Sequence, residues 1–222
     1  MDNDKIRLIA FLGNPGEEYR KTRHNAGFMA ADYIYDQIGL YGWQDWKKLG
    51  LYAVWENSGD RIYLLKPQTF MNLSGRAVQS LAAFYKIPPK QILAVYDDLA
   101  FPFGTVKLRK NGSNGSHNGM GSIINMMGTS DIPRIRIGIG PRPSYIQGKD
   151  YVLGNFPKSE LEQMPQVLEK VWKIIQKCTK MGIEKSDFSF STAAGLLNSI
   201  VNGIILLLAN ALSRRVSETS LF

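Results

Sequence analysis

The chain has 222 residues, of which 44% are hydrophobic, enough for one sizeable core. Twenty-seven Lys and Arg against 19 Asp and Glu give a net charge of +8, which favours an anionic partner such as nucleic acid. A single cysteine excludes an intrachain disulfide, and two histidines without HExxH or paired CxxC spacing leave no recognised zinc motif.

The opening MDNDKIRL carries acidic residues early and does not read as a signal or transit peptide, so a cytoplasmic location is expected. Ile6 to Leu12 reads as a buried strand closed by the turn Gly13-Asn14-Pro15-Gly16, and Ala26 to Ile38 as a helix. Leu51 to Glu56 and Arg61 to Lys66 read as strands joined by the turn Asn57-Ser58-Gly59-Asp60. Ser74 is placed to cap a helix carrying Val78, Leu81, Ala82 and Tyr85, which ends before Pro88-Pro89. Ile92 to Tyr96 is a strand that delivers Asp97 and Asp98 to its C-terminal end. Thr105 to Lys110 follows as a strand with alternating basic positions, then a glycine-rich turn and a short helix near Ser122 to Met127. Arg134 to Ile139 is a further strand. Glu160 to Lys180 is a long helix with Leu161, Met164, Leu168, Val171, Ile175 and Cys178 on one face, which makes Cys178 a buried structural thiol.

Strands alternating with helices predict a single-domain three-layer α/β fold over residues 1–186, with a mixed twisted sheet covered by helices. Ligands in such folds gather beyond the carboxyl ends of the strands, and the turns after Leu12, Tyr96 and Lys110 are expected on that edge. Residues 187–222 form an atypical apolar extension in which no charge occurs from Phe188 to Ser213. It is long enough to span a membrane. Asn198, Asn202 and Asn210 fall on one helical face, however, so a packed or partner-binding helix is expected in preference to membrane contact.

There is no GxxxxGK[ST] loop, no full GxGxxG and no GxSxG elbow, so nucleotide hydrolysis, dinucleotide redox chemistry and a serine nucleophile lack motifs. What remains is histidine without a nucleophile to activate. Both histidines, His24 and His117, stand before Asn and Gly in glycine-rich turns. An imidazole takes a proton from water when a carboxylate holds its other nitrogen, and Asp97 at a strand end is the candidate partner. Asn14, Asn72 and Asn118 supply amides able to position an ester. The plainer alternative is that these residues are turn formers and a strand end.

GNPGEEYRKTRHNAG, KPQTFMNLSG, YDDLAFPFG, GSNGSHNGMGSI, RIRIGIG and YVLGNF occur in that order between Ile6 and Gly182. Together they resemble the bacterial-type peptidyl-tRNA hydrolases. The resemblance implies cleavage of the ester between a peptide's carboxyl group and the terminal ribose of tRNA; no metal or other cofactor is expected, and a monomer is. It implies that His24 is the general base and Asp97 its orienting carboxylate. Asn14 and Asn72 would hold the substrate, Asn118 the peptide or the attacking water, and Tyr19 and Met71 would add substrate contacts. His117 would be a secondary, gating or tRNA-proximal residue, and Lys107, Arg109 and Arg136 would lie near the acceptor stem. Phe11 and Ser116 stand where the family usually has glycine, Gly121 where lysine is common, and the loop from Pro143 to Tyr151 looks short. Two rival readings are a non-catalytic RNA-binding relative of the same fold and a small-molecule esterase, which would leave the basic strands unexplained.

Overall fold

A computed structural model describes residues 5–183 and Ser186. The apolar extension read from the sequence lies outside the described residues. Seven strands form one sheet: β1 (Leu8–Phe11), β2 (Gln44–Trp46), β3 (Gly50–Asn57), β4 (Asp60–Pro67), β5 (Ile92–Pro102), β6 (Val106–Arg109) and β7 (Arg134–Gly140). Their order is β2-β3-β4-β1-β5-β7-β6. The four central strands are parallel, and β2, β3 and β6 add antiparallel margins. Central strands covered on both faces must be apolar throughout, which is why Leu8 to Phe11 is buried at every position.

Period-two alternation divides the core. Ile9 and Phe11 face a cluster completed by α1 (Ala26–Ile38) and α5 (Lys158–Met181), whereas Leu8, Ala10 and Leu12 face one completed by α2 (Ser74–Phe84) and α3 (Asn118–Met127). The result is the expected three-layer α/β arrangement. Phe11, where glycine is usual in the family the sequence resembles, is fully buried in the first of these clusters. Cys178 lies in the same cluster, as its helical spacing predicted.

Several local expectations are corrected. Ser74 does not cap α2: the chain enters that helix from a 3-10 turn, Met71–Leu73, so Leu73 takes the cap position and Ser74 the first helical one. Helix α3 begins at Asn118, four residues before the expected start, because the His117 side chain caps it by accepting from Met120 N–H. β5 runs on past Asp98 to Pro102 through an irregular register. Finally, β6 pairs antiparallel with β7, with Arg109 opposite Arg134, so its end points to the opposite edge from the one expected. The following segment returns across the sheet, and Arg134 holds it there by donating to the Ser113 carbonyl while its other donors go to the carbonyls of Ser130 and Ile132 in the loop before β7. The loop from Pro143 to Tyr151 leads into an extra short helix, α4 (Gly148–Leu153).

Among the described residues no helix is long and apolar enough to cross a membrane.

Candidate active site

His24 is delivered by a 3-10 turn, Arg23–Asn25, that runs directly into α1. The approach of α1 to the sheet depends on Gly27. A Cβ there would lie 2.3 Å from the Leu12 carbonyl oxygen and 2.5 Å from that of Val95, so only glycine lets the helix, and the histidine ahead of it, sit this close. β5 brings Asp97 from the next strand. The α3 cap brings His117.

These three side chains form one buried hydrogen-bonded chain. His24 Nδ1 is 2.9 Å from Asp97 Oδ1 and 3.1 Å from Oδ2, and His117 Nε2 is 3.1 Å from Oδ1. The proton positions follow from the surroundings. Met120 N–H donates to His117 Nδ1 at 3.2 Å, so Nε2 bears the hydrogen and donates to Asp97. Burial works to push the Asp97 carboxyl up, but the imidazoles of His24 and His117 outweigh it and hold the group well below the usual carboxylate range. An ionised Asp97 accepts from His24 Nδ1–H, which leaves Nε2 of His24 as the unprotonated nitrogen.

His24, Asp97 and His117 also supply three metal-ligating atoms within 4.8 Å of one another. The helix cap argues against their use as a metal site. Coordination through His117 Nε2 requires the hydrogen to move to Nδ1, where it would meet the Met120 N–H that now donates there. The cluster's proton arrangement suits acid–base work.

The chain of imidazoles opens on a cleft of about 510 Å³ whose walls include Asn14, Phe70, Met71, Asn72, Asn118, Leu99 and Leu153. Asn14 is oriented by Met71 N–H, which donates to its Oδ1 at 2.8 Å. Its Nδ2 is therefore a donor left to the cleft. The structure thus brings together Asn14, His24, Met71, Asn72, Asp97, His117 and Asn118. Tyr19 is not in the cleft wall; its ring packs edge-on against Phe70, 6.5 Å between centroids, at the rim.

Lys107, Arg109 and Arg136 also lie outside the cleft wall. Lys107 and Arg136 are opposed across β6 and β7 and flank the Phe101 ring at 4.3 and 4.6 Å. Arg136 Nε donates to Asp98, so part of its charge is already matched, while Arg109 is exposed. Arg134 and Tyr96 escaped the sequence reading. Arg134 is only 2% exposed and ties down the segment leading to His117, and the Tyr96 ring packs 4.5 Å from the His117 ring. Within the strand RIRIGI both arginines fall on the same alternating face, and nothing in the pattern tells the buried one from the other.

A model of the peptidyl-tRNA hydrolase family matches residues 8–195. The chain belongs to the peptidyl-tRNA hydrolase family. It is 45% identical over 186 residues to the peptidyl-tRNA hydrolase of Elusimicrobium minutum, covering 84% of this chain and 99% of that one. It is likewise 45% identical to that of Desulfitobacterium hafniense, covering 82% and 97%. Among solved structures, the crystal structure of peptidyl-tRNA hydrolase from Acinetobacter baumannii is similar with a TM-score of 0.77 at 34% identity, covering 84% of this chain and 93% of that one. The family thus agrees with the six ordered motifs. A member with His24, Asp97 and the three asparagines at one cleft is a hydrolase acting on an ester bond.

Proposed function

We propose that this chain hydrolyses peptidyl-tRNA to free peptide and tRNA by attack of a water that His24 deprotonates. The observation that carries the reading is the His24–Asp97 contact beside a cleft in which, among the described residues, no hydroxyl or thiol is hydrogen-bonded to the base. Ser116 is the one hydroxyl residue in the described cleft wall, and its Oγ donates to the Gly115 carbonyl, not to His24. Cys178 is buried in the core.

In this mechanism Asn14 Nδ2 donates to the ester carbonyl and holds it in line with the water. His24 Nε2 takes a proton as the water oxygen bonds to the carbonyl carbon, and Asp97 stabilises the resulting imidazolium. Collapse of the tetrahedral intermediate breaks the bond to the ribose oxygen, which receives the proton from His24. The peptide leaves as its carboxylic acid and ionises. Asn72 and Asn118 position the substrate, and Met71 with Phe70, Leu99 and Leu153 provides apolar surface for the peptide. Tyr19 supports Phe70 at the rim. His117 keeps Asp97 charged and fixed.

Lys107, Arg109 and Arg136 on the β6–β7 margin suit the phosphates of the acceptor stem. Intact acid–base chemistry speaks against a purely RNA-binding relative, which has no use for a base. Inhibition of turnover by uncharged tRNA tests the reading against a small-molecule esterase: competitive inhibition supports it, and no inhibition at high tRNA concentration counts against it.

A further inference from the structure

Asn25 follows His24 in sequence and is 3% exposed, yet it touches neither the Asp97 carboxylate nor the cleft. Its side-chain amide is spent on the backbone of Asn14, eleven residues earlier. Asn14 N–H donates to Asn25 Oδ1 at 2.8 Å, and Asn25 Nδ2 donates to the Asn14 carbonyl at 3.0 Å. Both bonds are buried. The primary amide therefore acts as a one-residue β-partner, satisfying both polar groups of a turn residue that no strand reaches.

The consequence is geometric. With its main chain held by Asn25, Asn14 turns Oδ1 to Met71 N–H and leaves Nδ2 for the cleft. The clamp comes from the same 3-10 turn that carries His24, so one rigid segment fixes both the base and the donor. Displacement by about an ångström at a reacting centre costs up to 10²-fold in rate.

We propose that Asn25 is a positioning residue for the hydrolysis, setting the separation between His24 and Asn14 through its paired bonds to the Asn14 backbone. This rests on the donor role given to Asn14 above. Few other side chains satisfy both bonds. Aspartate keeps the acceptor but sets a negative oxygen against the Asn14 carbonyl, and alanine leaves a buried N–H and a buried C=O unpaired.

The test is a double-mutant cycle on Asn25→Ala and Asn14→Ala, read as kcat and KM on an N-acylaminoacyl-tRNA. Asn25→Ala alone should lower kcat by about tenfold to a hundredfold, with KM and the pH profile little changed. In the Asn14→Ala background the same substitution should change kcat less than about twofold. Equal factors in both backgrounds would show that Asn25 acts otherwise than through Asn14 and overturn the proposal. An Asn14→Ala variant with normal turnover would instead overturn the donor role of Asn14, a distinguishable failure. Amide hydrogen exchange at Asn14 gives a readout independent of activity: slow in the unaltered chain, it should become fast in Asn25→Ala, and unchanged exchange would contradict the clamp. Should Asn25→Ala fail to fold, the near-isosteric Asn25→Asp takes its place in the cycle, with the same expected kcat factors in the two backgrounds.

Discussion

His24 Nδ1 reaches both oxygens of Asp97, at 2.9 and 3.1 Å, whereas His117 reaches only Oδ1. An asparagine at position 97 could keep its oxygen at the Oδ1 position and still accept from both imidazoles, but its NH2 would then face His24 Nδ1–H where Oδ2 now lies, so Asp97→Asn removes the charge and weakens the hold on the His24 tautomer. It should lower kcat/KM by about tenfold to a hundredfold and move the acid limb of the pH–rate profile to lower pH, because an amide supports the imidazolium less than a carboxylate does. His24→Ala removes the base itself and should cost about 10² to 10⁴ in kcat with tRNA binding little changed. Near-normal turnover by His24→Ala would remove His24 from the mechanism.

The same carboxylate links stability to pH. Burial opposes its charge, but the two imidazoles depress its titration below the ordinary value near 3.9. The folded state then binds this proton less readily than the unfolded state. The contribution to stability is fully present above about pH 4 and is lost as pH falls through the depressed folded value. Urea unfolding from pH 5 downward should show this loss in the unaltered chain and a shallower one in Asp97→Asn. Parallel curves would show that the pair contributes nothing to acid sensitivity.

Much of the candidate site was legible because its residues lie in short motifs at strand ends and turns, where local pattern and chemistry coincide. The triplet around His24 and the strand end at Asp97 are of this kind. What escaped depends on contacts distant in sequence. Nothing local shows that the Arg134 guanidinium meets three carbonyls, or that the amide of Asn25 pairs with the backbone of Asn14. The start of α3 was missed because glycines in GSHNGMG argue against a helix, whereas the His117 cap and the packing of α3 on the Met71–Leu73 turn and on α2 favour it. β2 is a three-residue margin strand with two exposed positions, too short to leave a pattern.

Phe11 offers a test of a departure from the family pattern. It is fully buried between β1 and the helices α1 and α5. Phe11→Ala should destabilise the fold by about 3–5 kcal/mol, measured as a lowered urea midpoint at constant m-value. A change below about 1 kcal/mol would mean that the surrounding side chains collapse into the space.

Arg109 is exposed on β6, while Arg136 is already paired with Asp98. Arg109→Ala should therefore weaken tRNA binding regardless of sequence and reduce the magnitude of the log–log salt slope by about 0.7 to 0.9, one released counterion. Arg136→Ala should reduce the slope less. An unchanged slope for Arg109→Ala would place that side chain away from phosphate.

The central claim is that His24 and the asparagines of one cleft hydrolyse the ester of peptidyl-tRNA. It is tested most directly by incubating the full chain with N-acetylated aminoacyl-tRNA carrying a labelled amino acid, beside the unblocked aminoacyl-tRNA. The account predicts rapid release of labelled N-acetyl amino acid from the blocked substrate, with the unblocked one left intact and release by His24→Ala slowed by about 10² to 10⁴. Failure of the full chain to release label from the blocked tRNA, or undiminished release by His24→Ala, would contradict it.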